Sequence, residues 1–479
     1  MIFNSIQFLW LFPIIFGLYY LVNSVSERFH LVKSSSGIGN YFLIVISYAL
    51  YLQWDARYAL ILLGITVVTY FGALALDASF QRRKKLLAIV LSSVALFPLL
   101  FFKYMPFICE NIDDLMGVCV GGGKILEINI IAPIGISFYT FQALGYMLDV
   151  YHKRIQCERN WWNYMLFVCF FPQILSGPIS KASDLLPQIK SERKFDYGFA
   201  VEGLRYLLWG MFLKVAFADR LALYVNPVLD NYSDYSGVSI FMACTFYSLQ
   251  IYGDFAGYSL MAIGVARLMG FDLINNFNRP YLAASITEFW KRWHISLTRW
   301  LTTHVYIAMG GNRCSKVRQY INIMTTFLVS GIWHGANWTF IIWGVIHGLF
   351  QIIEKVFGIQ STAGLSVFKR VIRICITFTA VSFAWLIFRM PTITDAWNCF
   401  CGIFTNKGSL YLPQIDELMF LVIIAIVPII KDILIEFEPD VIKKFFANVF
   451  LRRTYYVLIA LALVIFGVFN ADSFIYLQF

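Results

Sequence analysis

Apolar runs long enough to cross a bilayer recur along nearly the whole chain, and that recurrence limits what it can fold into. A spanning helix needs about 20 mostly apolar residues. Clear candidates lie at 5–22, 39–54, 58–76, 86–102, 128–148, 199–217, 238–266, 374–388, 417–434 and 454–470. With 59% hydrophobic and only 14% charged residues, and a mean hydropathy of +0.68, a soluble fold of 479 residues would have nowhere to hide its apolar surface. The sequence therefore predicts an all-α polytopic membrane protein with about 10–13 spanning or re-entrant segments in a single membrane-embedded domain, 1–479. The opening MIFNSIQFLWLFPIIFGLYYLV lacks a basic start and a small-residue cleavage site, and reads as a retained first helix.

The segments at 162–178, 282–304 and 320–354 are less regular and read as re-entrant or split. The run from Phe171 to Pro178, FPQILSGP, breaks a helix, which is tolerated in a membrane only where protein or water covers the freed backbone. The net charge of +10 is spread over short basic clusters between the apolar runs, so it reads as topology rather than as nucleic-acid binding. Arg82 to Lys85, His152 to Arg154, Lys190 to Lys194, Lys369–Arg370 and Arg452–Arg453 belong on the cytoplasmic side by this rule. That places the loop 103–127 and both termini outside, and every cluster agrees if 320–354 forms a hairpin. The nine cysteines show no metal spacing; Cys399 and Cys401 are too close for an easy bridge, and Cys109 with Cys119 is one possible pair. No internal repeat or low-complexity tract is evident.

Against this apolar background a few polar residues stand out. His334 sits mid-way through Tyr320 to Glu354, flanked by Trp333 and Gly335, with Asn337 three residues on. An imidazole at membrane depth is a candidate functional residue; it can equally be a hydrogen-bonding link to a neighbouring helix. Between Leu273 and Arg318 the chain turns polar and aromatic, with Lys291, Arg292, Arg299 and Arg313 among Trp290, Trp293 and Trp300. This pattern fits an amphipathic helix at the cytoplasmic interface, and also an anion site. His294, His304 and His347 read as hydrogen-bonded structural residues, and Asp149 and Asp254 as carboxylates paired near helix ends. No cluster supports a metal, and no phosphate loop occurs.

Several longer stretches carry a resemblance. Ala132 to Tyr151, Phe170 to Ile189, Leu249 to Phe271, then FNRPYL, FWKRWHISL, GGNR and SGIWHGANWTFIIWG follow one another in order. Together they resemble the membrane-bound O-acyltransferase family, in its alginate O-acetyltransferase branch, and the ending FIYLQF is similar to that branch too. The resemblance implies helices around a central funnel or tunnel, with N-terminal helices at 1–131, a catalytic core at 132–354 and C-terminal helices with an outer tail at 355–479. It implies His334 as the catalytic base and His294 as the second embedded histidine, with Trp333, Asn337, Asp254 and Arg292 as supporting or substrate-lining residues.

It further implies a multi-pass protein of the bacterial inner membrane, in contact with membrane lipid. Such a protein takes acetyl from acetyl-CoA or another acyl thioester, without a bound cofactor, for O-acetylation of a cell-envelope or exported polysaccharide. An extracytoplasmic acetyltransferase partner completes that system. Thr302 and Thr303 stand where the branch commonly has an Arg-Asp pair, and His304 and Ala308 depart as well. Imidazole suits the chemistry, because attack of a hydroxyl on a thioester needs a base near neutrality. Tyr476 in the tail is a candidate acyl acceptor, or one of an interfacial aromatic belt. Two other readings are a polysaccharide or small-molecule transporter gated by His334, and a D-alanyl transferase for teichoic acids.

Overall fold

A computed structural model describes residues 3, 5–29, 37–79, 81–120, 132–174, 177–362, 364–412, 415–469 and 475, and among them it contains helices and no strand. The first helices are α1 (Ile6–Arg28), α2 (Ile38–Leu52), α3 (Ala56–Ala78), α4 (Gln81–Val120), α5 (Ile136–Tyr151), α6 (Trp161–Cys169), α7 (Phe171–Ile174), α8 (Ala182–Lys190) and α9 (Tyr197–Met211). Then come α10 (Asp219–Asp230), α11 (Gly237–Leu268), α12 (Ile286–Arg292), α13 (Ile295–Leu301), α14 (Lys316–His334) and α15 (Trp338–Val356). The chain ends with α16 (Val367–Arg389), α17 (Ile393–Thr405), α18 (Ile415–Phe437), α19 (Pro439–Ala447) and α20 (Val449–Phe466). Wider π-helical turns occupy Phe212–Ala218 and Thr302–Tyr306.

Six of the described helices have stretches long and apolar enough to cross a membrane: Ile6–Arg28, Ala56–Ala78, Arg83–Met116, Trp338–Val356, Val367–Arg389 and Val449–Phe466. The multi-pass, all-α expectation holds. Their outward faces carry exposed apolar side chains such as Trp10 (76%) and Val464 (79%), which water would penalise and lipid accepts. One boundary differs. The sequence reading ends a span at 102 and expects a loop at 103–127, but α4 continues to Val120, through Pro98 and Pro106. Proline is tolerated in membrane helices where neighbours satisfy the freed carbonyl, so neither proline nor Lys103 ends the helix.

The contacts divide the chain into two compact units, Met1–Arg205 with Ala262–Ile274, and Tyr206–Met261 with Asn275–Phe479. In the first, polar side chains tie apolar helices together. Tyr164 donates to Thr69 Oγ1 (2.7 Å), Asn40 donates to the Ile189 carbonyl (2.8 Å), and Gln173 reaches the Pro178 carbonyl (2.9 Å) across the break after α7. Helix α7 ends at Ile174, inside the FPQILSGP run as the sequence reading expects, and buried Gln173 satisfies the Pro178 carbonyl beyond it.

The second unit contains both other irregular segments. The stretch 282–304 splits into α12 and α13 at Trp293 and His294, where His294 takes a left-handed conformation (φ 43°). The stretch 320–354 is a hairpin: α14 ends at His334, the chain turns through 335–337, and Asn337 caps α15 by accepting from the Thr339 amide (3.0 Å). Glycines let the two helices touch. A Cβ on Gly331 would lie 2.3 Å from the Phe340 carbonyl oxygen, and one on Gly344 2.4 Å from that of Phe327. By contrast, a Cβ on Gly64 of α3 meets nothing within 4 Å. Gly344→Val is therefore expected to cost about 1–3 kcal/mol by overpacking, and to lower the thermal midpoint in detergent. Gly64→Ala, measured in the same melts, should leave the midpoint unchanged or raise it.

Candidate active site

His334 is the last residue of α14, and is buried. Its ring lies edge-on to Trp343 of α15 (centroids 5.0 Å apart) and to Phe388 of α16 (5.2 Å), with Trp333 beside it (5.0 Å). Three helices thus hold the imidazole among aromatic rings that exclude water from its flanks. His294 also packs on Trp333, its ring 5.8 Å away and 4.7 Å from Phe255 of α11. The two histidines, forty residues apart in sequence, are thus brought to the same indole.

A hydrogen-bonded network surrounds one edge of His294. Asn276 Oδ1 accepts from the Ser296 amide (3.1 Å) and hydroxyl (2.9 Å), and lies 3.2 Å from His294 Nδ1. The Ser296 hydroxyl is itself 3.4 Å from Nδ1, so Asn276 and Ser296 together fix the orientation of the ring. The strained left-handed backbone at His294 is held by this network and by the Ile295 amide, which donates to the Asn276 carbonyl (2.9 Å).

A pocket of about 500 Å³ opens between α12, α13, α14 and α15. Trp290, Phe327 and Ser330 form part of its wall, and Lys291, Lys355 and Thr302 contribute polar groups; among the described residues no carboxylate lines it. Ser330 stands one helical turn before His334 on α14, so the pocket runs along the helix that ends in the imidazole. Behind the Trp290 wall is His347, fully buried, whose Nδ1 accepts from Trp290 Nε1 (3.3 Å); this matches its structural reading. His304 packs on Trp300 (4.8 Å).

The remaining expected residues take other places. Asn337 is occupied as the α15 cap and by its bond to the Pro391 carbonyl (2.9 Å). Arg292 pairs with Glu288 (2.6 Å) and with Glu436 (2.8 Å), and Arg279 and Arg370 converge on the same Glu436. Asp254 is buried against Lys214 (2.6 Å), which also holds Asp219 (2.6 Å). Tyr476 lies outside the described residues; its neighbour Ile475 donates its amide to Asp254 Oδ2 (2.9 Å). Lys214, Asp219, Glu436 and the pocket residues Phe327, Ser330 and Lys355 were not singled out from the sequence, whereas the pocket residues Trp290, Lys291 and Thr302 were. Lys214 had a readable signal, because a lone lysine inside an apolar run is a functional-site candidate by default.

Residues 158–392, which contain both histidines and the pocket, match the membrane-bound O-acyltransferase family. Over 423 residues the chain is 36% identical to a protein named probable alginate O-acetylase AlgI from Pseudomonas aeruginosa, covering 87% of this chain and 77% of that one. The chain belongs to the membrane-bound O-acyltransferase family. It is an acyltransferase enzyme of the multi-pass membrane type. It is also 32% identical over 393 residues to a peptidoglycan O-acetyltransferase from Helicobacter pylori, across 76% of this chain and 74% of that one. Similarity to the teichoic acid D-alanyltransferase of Bacillus subtilis is lower, 27% over 275 residues, across 54% of this chain and 69% of that one.

The second unit also holds a buried charge group, Lys214 between Asp219 and Asp254. Lys214→Met would leave Asp219 and Asp254 buried together without their cation, a loss of about 3–5 kcal/mol. Monodisperse protein recovered by size exclusion should fall sharply, while Lys291→Met, at an exposed position by the pocket, should leave the yield intact.

Proposed function

We propose that this enzyme takes an acetyl group from a cytoplasmic acyl thioester, acetyl-CoA in the first instance, and delivers it for O-acetylation of a cell-envelope or exported polysaccharide, with His334 as the general base. The observation that carries this reading is the line along α14 from the pocket wall at Ser330 to His334 one turn later. A pocket with two lysines, and no carboxylate among its described lining residues, suits a donor that bears phosphates, with its thioester end directed toward the imidazole.

In the step itself the acceptor oxygen bonds to the thioester carbonyl carbon while His334 takes the hydroxyl proton. The tetrahedral intermediate then expels the thiolate, and the imidazolium returns the proton to sulfur. His294 is the second histidine of this site, packed on the same indole as His334. Trp333, Asn337, Arg292 and Asp254 act by positioning: as the ring on which both histidines pack, the hairpin cap, the tie between α12 and α18, and the counter-ion of Lys214. The basic clusters orient the protein in the bacterial inner membrane with both termini outside, so donor and acceptor approach from opposite faces.

An extracytoplasmic acetyltransferase takes the group onward, and Tyr476 is the candidate residue to carry it as a phenolic ester. Acetyl is favoured over D-alanyl because the similarity to O-acetylating relatives is both closer and longer.

The deciding experiment measures acetyl esters in the polysaccharide fractions of cells expressing His334→Ala at wild-type membrane levels. Esters should fall by about 100-fold or more, the scale of a lost general base; unchanged esters would end the assignment. The pocket is tested separately with Ser330→Trp, which should raise the KM for acetyl-CoA in membrane vesicles, whereas a variant with an unaltered KM would place the donor elsewhere. Labelled acetyl recovered on a Tyr476-containing peptide, and lost in Tyr476→Phe, would support the carrier role. Full polymer acetylation by Tyr476→Phe would exclude it.

A further inference from the structure

The membrane-embedded second unit contains two buried cysteines, Cys244 of α11 and Cys399 of α17, that no step of the transfer uses. They come from helices far apart in sequence, yet their thiols stand within hydrogen-bonding reach of each other. The contact lies beside a series of close approaches between the segment that leads into α11 and the end of α17. At one end the backbone pairs Tyr235 with Ser409 and Ser236 with Lys407. Next, the Gly237 amide donates to the Asn406 carbonyl (3.1 Å), and a Cβ on Gly237 would lie 2.1 Å from the Ile403 carbonyl oxygen. A turn further, a Cβ on Gly402 would lie 3.2 Å from Ile240 Cδ1. Cys244 stands about one turn beyond Ile240 on α11, and Cys399 about one turn before Gly402 on α17. The glycines let the two backbones approach closely at this crossing, and only closely spaced backbones can be bridged by a disulfide.

We propose that Cys244 and Cys399 form a reversible dithiol–disulfide couple that locks α11 to α17. Cys244 is the entry point, because Cys399 is completely enclosed while Cys244 retains 9% exposure. Its sulfur attacks a small or protein disulfide, breaking that S–S bond and releasing one thiol. Cys399 then attacks the mixed disulfide, forming the Cys244–Cys399 bond and releasing the second thiol; the two cysteine protons end on the released thiols.

Depth favours access. The 32 residues of α11 extend about 48 Å, more than a hydrocarbon core of roughly 30 Å, so its ends project and Cys244, two turns in, sits near the boundary. The loop closed by the bond contains both His294 and His334, so oxidation would restrain the segment that carries the site. The proposed outside orientation of this end identifies an oxidising compartment as the source of the disulfide; the pairing itself does not depend on the acyl-transfer reading.

The test treats membranes containing the full-length protein with 4,4′-dithiodipyridine, a small apolar disulfide, then alkylates under denaturing conditions and maps peptides by mass spectrometry. The wild type should yield a dithiothreitol-sensitive peptide pair joined through Cys244 and Cys399. In Cys399→Ser, Cys244 should instead retain the pyridylthio adduct. Wild-type protein in which both cysteines are alkylated, or carry separate adducts, would overturn the proposal. Because the readout is a bond and not acetylation, it stands or falls separately from the proposed activity.

Discussion

The close crossing of α14 and α15 is the contact on which the rest of the site depends. Gly331 and Gly344 remove the side chains that would hold the helices apart, and each accepts the other helix's carbonyl oxygens at distances no Cβ permits. In lipid this contact gains no hydrophobic stabilisation, since a helix face is as well solvated by acyl chains as by another helix; what remains is dispersion from close approach. The crossing places His334 at the end of one helix against Trp343 of the other, and puts Trp343 and His347, one turn apart, in a single aromatic layer (4.8 Å).

Around that layer, polar groups are handled by pairing. A membrane interior offers no water, so each buried charge needs a protein counter-charge. Lys214 lies in the π-helical turn Phe212–Ala218, where the widened backbone leaves the Val215 carbonyl to accept from the Val468 amide (3.0 Å). The same turn is tied by Arg220 to the Phe466 carbonyl (3.0 Å), and Asp254 receives the Ile475 amide. One local irregularity thus joins an ion group to the C-terminal segment. Glu436 does comparable work at the end of α18, where guanidinium groups from Arg279, Arg292 and Arg370 meet on one carboxylate.

The arrangement separates chemistry from charge. The two histidines and Trp333 lie among rings and neutral amides, while the strongly charged residues nearby are neutralised by partners and directed elsewhere. Arg292 illustrates this: it is two residues from His294 in sequence, yet its guanidinium is bound to Glu288 and Glu436. The open pocket with its two lysines is where cationic groups remain accessible to a ligand.

By itself the sequence determined the class of fold, the family, and the places where helices must break. Apolar runs, basic clusters and breakers such as FPQILSGP act locally, through hydropathy and backbone geometry, and His334 and His294 are candidates from the sequence because ordered motifs accompany them. The continuation of α4 past Lys103 was not legible, because whether proline and lysine end a membrane helix depends on what covers them. Only the tertiary structure brought His294 and His334 to the same indole of Trp333, assigned Asn337 and Arg292 to capping and ion pairing, joined Lys214 to two carboxylates, and set Cys244 against Cys399. Each of these depends on contacts between segments distant along the chain, whose register is decided by side-chain packing that no local pattern encodes.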